Sequence, residues 1–174
     1  MYPIFNDKIA LWGNIQKNYL TNVRNISDEK ILVPGSPRHD AFFNRNIYQK
    51  NTSEKVILIT PQVIQEYNAV TDTNTYLRIE KLLKQIFSII EKLPNTRLII
   101  KMHPTFDSGN EYIKKLIHKL NPTVKIYQLE SILEIIESCD LMININTEFF
   151  PSTVIYEGLI LKKPILNIYT MDNY

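Results

Sequence analysis

Few residues in this chain have the type and surroundings to do chemistry, and those that do mostly follow an apolar run. His103 stands two residues after RLIIK (97–101) and directly before Pro104, which holds it extended rather than helical. An imidazole there can donate to a phosphate oxygen or protonate a leaving group near neutral pH. It would serve equally as a loop histidine bonded to a backbone carbonyl. Lys101, at the end of the same run, would either add positive charge or simply face solvent. Ser152 and Thr153 open a helical pattern. Free N–H groups at a helix start carry about half a positive charge, and two hydroxyls beside them complete an anion site suited to phosphate. The alternative is that Ser152 is only an N-cap. Glu157 lies one turn beyond Thr153 on the same helix face, where it would accept hydrogen bonds from ribose hydroxyls or remain a solvated surface glutamate. His118 shares a face with Glu111, Lys114 and Lys115 and reads as solvated, and Cys139, after the apolar run 132–136, reads as a small buried hydrophobe.

The elements that must position these residues are legible in the hydrophobic pattern. Five β-rich runs occur: 55–60 (KVILIT), 97–101 (RLIIK), 124–127, 140–145 (DLMINI) and 164–168. They are nearly continuous in apolar residues, the mark of parallel strands buried on both faces. Between them, Ile79, Leu82, Leu83, Ile86 and Ile90 make one stripe of a helix over about 76–92. Ser108 with Glu111, and Ser131 with Glu134, have capping-box spacing ahead of two further helices, and a fourth runs from 152 to about 161. Such alternation implies an α/β, doubly wound parallel sheet with right-handed crossovers. Ligands in such sheets bind at the carboxyl ends of the strands. Along that rim fall Pro61 and Gln62, His103 and Thr105, Glu130, then Asn146, Thr147 and Glu148, and finally Tyr169, Thr170 and Asp172.

The first fifty residues are organised differently. Two short strands, 8–12 and 30–33, flank a helix over about 15–23, and the rigid turn PGSP (34–37) follows. The polar stretch 44–54 reads as a linker and 65–75 as a loop. The expected division is a remnant βαβ unit in 1–34, a hinge and linker in 35–54, and the main Rossmann-like domain in 55–174.

Composition removes several function classes. Of 174 residues, 44% are hydrophobic and 22% charged, with a net charge of +2 that argues against nucleic acid as a partner. With only four glycines, neither G-x-G-x-x-G nor a Walker loop is encoded. Three histidines and one cysteine show no metal-ligand spacing, so no metal site is expected. A single cysteine allows no internal disulfide, and the start MYPIFNDK lacks the pattern of a secretion signal, so a cytoplasmic location is expected. No apolar run reaches the ~18 residues of a membrane span.

Taken in order, the pieces GSPRHD (35–40), KMHP (101–104), PSTVIYEG (151–158) and KKPILNIYTMDNY (162–174) resemble the carboxyl-terminal half of GT-B transferases. The closest flavour is the CDP-glycerol glycerophosphotransferases, with similarity to bacterial enzymes using CMP-sugars. The resemblance implies a nucleotide-activated donor, CDP-, CMP- or UDP-linked, and an acceptor glycan or lipid-linked glycan of a cell-surface polymer. It implies that His103, Ser152 and Thr153 hold the donor phosphates, with His103 catalytic, and that Glu157 reaches the ribose. Arg38 and Asp40 would shape the hinge and cleft between domains. No cofactor and no nucleotide-binding metal are implied, since the helix dipole and hydroxyls would stabilise the leaving diphosphate. Peripheral association with the inner face of the membrane belongs to the same expectation. Pro151 stands where related sequences carry an acidic residue or tyrosine, and INTEFF replaces a more polar stretch. Most of the acceptor-binding amino-terminal domain, and the helices that normally follow the last strand, are expected to lie outside this chain, as in a fragment or a split gene product.

Three other readings compete. An isomerase of the UDP-N-acetylglucosamine 2-epimerase kind shares the fold but would bring Gly-Gly after the serine and a Gln-Glu-Glu run. A non-catalytic nucleotide-binding module would keep the site without turnover. A flavodoxin-like receiver would need an acidic pair after the first strand, where Pro61 and Gln62 stand.

Overall fold

The computed structural model describes residues 7–43, 52–62, 73–105, 108–147 and 152–170. The chain divides into two compact units, Met1–Arg45 and Asn46–Tyr174. Most of the linker expected over 44–54 and of the loop expected over 65–75 lies outside the described residues.

In the first unit, β1 (Ile9–Ala10) and β2 (Ile31–Leu32) pair in parallel across α1 (Asn14–Asn22). Both strands are shorter than the pattern implied. The Leu11 N–H still reaches the Leu32 carbonyl at 2.9 Å, but the Trp12 N–H goes to Gln16 Oε1 at 2.8 Å and turns the chain into the helix. A 3-10 turn over Asp28–Lys30 occupies the residues before Ile31. α1 buries none of its residues, and Ile15, Tyr19 and Val23 form an exposed stripe. The PGSP turn passes through Gly35 at φ +82°, a left-handed geometry that suits glycine, into a 3-10 turn over Pro37–His39 and α2 (Asp40–Phe43).

The second unit runs β3 (Lys55–Pro61), α3 (Thr73–Ile90), β4 (Thr96–Lys101), α4 (Ser108–Leu120), β5 (Lys125–Tyr127), α5 (Ile132–Ser138), β6 (Leu141–Asn146), α6 (Val154–Ile160) and β7 (Ile165–Tyr169). Its five strands are all parallel, in the order β5-β4-β3-β6-β7. The chain winds outward from β3 to β5, crosses back over β3, and winds out again to β7. This is the doubly wound sheet the apolar runs imply, with its switch point between β3 and β6. At the amino end, Asp140 fixes β6 on β3 by accepting the Val56 N–H at 2.8 Å and Lys55 Nζ at 3.2 Å.

The two faces differ in chemistry. Ile57, Ile59, Ile100, Met102, Ile143 and Ile145 point one way, into a core completed by Ile79, Leu83 and Phe87 of α3 and Ile113 and Ile117 of α4. Burying each such side chain contributes roughly 1.5–3 kcal/mol. Opposite, α5 packs on β3 and α6 on β7. Gly158 lets α6 approach closely, since a Cβ there would sit 2.9 Å from Ile165 Cδ1 and 3.1 Å from Met142 Cε. Lys163 closes the carboxyl end of α5 by donating to the carbonyls of Glu137 and Cys139, each at 2.8 Å.

One of the two expected capping boxes is absent, and the other lies at the edge of the described residues. Ser131 precedes α5 but makes no side-chain bond to it. The carboxylate that organises this turn is Glu130, which accepts the Gln128 N–H at 2.7 Å. Backbone N–H groups, its own first, hold the Glu130 carboxyl below the usual range. α4 begins at Ser108, and the residues just before it lie outside the described ones.

Candidate functional site

The α6 face of the sheet changes from apolar to polar as it approaches the carboxyl rim. Leu58 and Met142 pair, and one step further Thr60 pairs with Asn144 and Asn144 with Asn167. These side chains are bonded to one another. Thr60 Oγ1 donates to Asn144 Oδ1 at 3.0 Å, and Asn144 Nδ2 donates to Asn146 Oδ1 and Asn167 Oδ1, both at 2.8 Å. Asn146 Nδ2 adds a bond to Asn167 Oδ1 at 2.9 Å. Thr60, Asn144 and Asn146 are buried, so the network is built to satisfy itself. None of it figures among the sequence-derived site residues except Asn146.

Asn146 links this layer to the rim. Its Oδ1 accepts the Ser152 N–H at 3.4 Å, and its carbonyl accepts both the N–H and the hydroxyl of Thr170, at 3.0 and 3.1 Å. Arg78 of α3 donates to the Thr170 carbonyl at 3.1 Å. Beside it, the Thr147 N–H donates to Gln62 Oε1 at 3.0 Å and the Gln62 N–H to the Ile145 carbonyl at 2.9 Å, joining the ends of β3 and β6.

α6 starts at Val154 rather than Ser152, so Thr153 takes the cap position, and it makes no side-chain bond to the helix. Ser152 contributes its carbonyl, which accepts the Ile155 N–H at 3.2 Å. The alternative that Ser152 only caps the helix finds no side-chain bond to carry it: the bonds of Ser152 are those of its backbone N–H and carbonyl. The helix spans seven residues, so its dipole is small and any anion bound here must rely on hydroxyls and N–H groups.

His103 lies on the same rim, two residues after β4 and exposed. The strands β4 and β6 flank β3, so the strand ends from which His103 and Ser152 follow lie two strand spacings apart, roughly 10 Å. His103 Nδ1 lies 2.9 Å from Thr105 Oγ1 and accepts the Thr105 N–H at 3.3 Å. Asn110, wholly buried in α4, donates to the Thr105 carbonyl at 2.6 Å and the His103 carbonyl at 3.3 Å. Gln128 Nε2 adds a bond to the Thr105 carbonyl at 2.8 Å.

Lys101 and Glu157 are not the surface charges that one alternative allowed. Glu157 is 1% exposed and Lys101 8%. Lys101 Nζ donates to the carbonyls of Gln128 at 2.7 Å and Met102 at 2.9 Å. Burial pushes this lysine below its ordinary range, while Glu130 and Glu157 partly oppose the shift. A lysine lowered in the folded state holds fewer protons than in the unfolded chain between its folded value and 10.5. Stability therefore rises with pH across that window, and the cost of the buried charge is fully present below it. Urea denaturation of wild type and Lys101→Met between about pH 8 and 11 checks this. The wild type is expected to gain on the variant as pH rises, and a constant difference would assign the titration elsewhere.

In the first unit, Arg38 and Asp40 are exposed, and the buried member of the GSPRHD turn is His39 at 4%. Its Nδ1 lies 2.8 Å from Ser36 Oγ, and its ring meets Trp12 edge-on at 5.8 Å. Glu148, Pro151 and Asp172 lie outside the described residues. No helix among the described residues is long and apolar enough to cross a membrane.

The winding order and the polar rim define a Rossmann-like α/β domain. Its likeness extends to the crystal structure of a GtfA/B complex, with a TM-score of 0.52 over 97% of this chain at 15% identity. This chain spans 31% of that protein's length. A universal stress protein from Archaeoglobus fulgidus overlaps 66% of the chain, and 94% of its own, at 9% identity and a TM-score of 0.37, too slight a likeness to bear on either fold or function. No protein of curated function matches the chain. Residues 7–174 match the family described as CDP-Glycerol:Poly(glycerophosphate) glycerophosphotransferase, and the chain belongs to that family.

Proposed function

We propose that this chain is the donor-binding part of a transferase that moves glycerol phosphate, or a related sugar or polyol phosphate, from a CDP-, CMP- or UDP-linked donor to a glycan or lipid-linked glycan of a cell-surface polymer. The observation that carries the reading is the rim at the switch point of the sheet. An exposed imidazole stands there on one side of β3 and two hydroxyls on the other, in a chain of the glycerophosphotransferase family. In this reading His103, Ser152 and Thr153 contact the donor diphosphate, and His103 stabilises the charge that develops as the nucleotide leaves. Glu157 serves the ribose, which requires the ligand to reach a carboxylate that is now 1% exposed. Residues 1–34 are the end of an acceptor-side domain, with Arg38 and Asp40 at the hinge, and the whole works at the inner face of the membrane.

Calorimetry with CDP-glycerol, CDP, CMP and UDP at millimolar concentration tests this. Weak binding with little turnover by the chain alone is the expected result. A folded protein that binds none of them would refute the reading. Sugar epimerisation in place of nucleotide release with transfer would move the chain to the isomerase class.

A further inference from the structure

We infer that Thr105, held by the buried Asn110, is a positioning residue that locks the tautomer of His103. A backbone N–H can only donate, so the Thr105 N–H at 3.3 Å requires His103 Nδ1 to present its lone pair. The threonine hydroxyl at 2.9 Å reinforces this. The neighbouring amide of Asn110 faces two carbonyls, those of Thr105 and His103, which fixes it as the NH₂ end of the side chain. That NH₂ also reaches Thr105 Oγ1 at 3.4 Å and occupies its acceptor side, which leaves the hydroxyl proton to point at the imidazole. With Nδ1 accepting, the neutral ring carries its proton on Nε2.

The geometry has a consequence for binding, and that consequence rests on the donor-phosphate reading above. An Nε2–H offers a phosphate oxygen a donor without the imidazole having to be charged. Thr105 and Asn110 thereby convert an exposed histidine into a directional donor, and Gln128, on the turn after β5, braces the same carbonyl at 2.8 Å. The chain of contacts runs from the buried start of α4 to the rim, so the orientation of the ring is set by the fold rather than by the ligand.

The test is long-range proton–nitrogen NMR of the full chain labelled with ¹⁵N, above the pH at which the ring takes up a second proton, with His103 assigned from its loss in His103→Gln. A ring free to exchange tautomers gives averaged nitrogen shifts, and a locked ring gives limiting values for one protonated and one bare nitrogen. Wild type and Thr105→Ser are expected at the limit with Nε2 protonated, and Thr105→Val, which keeps the backbone N–H but loses the hydroxyl, is expected to move part of the way towards averaged values. Averaged shifts in wild type, a protonated Nδ1, or no change in Thr105→Val would each overturn the inference. Thr105→Val is further expected to weaken CDP-glycerol binding about three- to tenfold, with Thr105→Ser unchanged. If the shifts behave as expected but wild type binds no nucleotide, the donor reading fails and the tautomer assignment stands.

Discussion

Replacing Asn144 with leucine is expected to lower the unfolding free energy by about 3 kcal/mol. Leucine is close in size and suits a strand, so hydrophobicity alone would argue for a neutral change. The cost comes from the partners left behind. Asn144 accepts from Thr60 and donates to both Asn146 and Asn167, and every one of these bonds disappears at once. Each lost bond at a buried group costs on the order of 1 kcal/mol, and the Thr60 hydroxyl, buried under α6's face of the sheet, keeps no acceptor. A double variant, Thr60→Val with Asn144→Leu, is expected to lose less than the sum of the two single changes, because removing both partners spares the orphaned hydroxyl. Chemical denaturation of the four proteins measures the coupling. Strict additivity would show that the polar layer is not a connected network.

The second large effect is on the ligand rather than the fold. Ser152→Ala combined with Thr153→Ala is expected to weaken CDP-glycerol binding by roughly 1–3 kcal/mol, since hydrogen bonds to a charged phosphate lie at the strong end of the range. Stability should change by less than about 0.5 kcal/mol, because Thr153 stands at the cap position without capping and the links of Ser152 to its surroundings are made by its backbone. The two readings of this pair thus separate cleanly. A loss of stability with unchanged affinity would assign the hydroxyls to the helix. A loss of affinity at constant stability would assign them to the donor.

Much of the scaffold was legible before any coordinates, and the reasons are physical. KVILIT and RLIIK are continuous in β-branched and aliphatic residues because helices cover both faces of their strands, and that demand leaves few other sequences possible. The stripe through Ile79, Leu83 and Ile86 declared α3 in the same way. The polar layer was less legible because the run LMININ satisfies an apolar pattern on its other face, where Ile143 and Ile145 enter the core. A signal was present all the same: asparagine is depleted in strands, and Asn144, Asn146 and Asn167 recur on the neighbouring strands β6 and β7. Glu157 was ambiguous because its burial depends on the close approach of α6, which Gly158 permits and which no periodicity reports. The capping expectation at Ser131 failed because spacing alone cannot tell a serine that caps from one that merely precedes a helix. In the GSPRHD turn, nothing local marks His39 as the buried residue. Its burial comes from Trp12 and Phe42, and Trp12 lies far off in the chain.

The short strands and unburied helix of the first unit have a consequence for persistence in time. α1 contributes no buried side chain, and each strand beside it is two residues long. Amide protons in such a segment exchange with solvent through small local openings that cost little free energy, whereas those of β3, walled in on both sides, exchange only when the whole sheet comes apart. Hydrogen–deuterium exchange of the chain is thus expected to show two tiers of amide lifetime, long in the sheet and short in the amino-terminal βαβ unit.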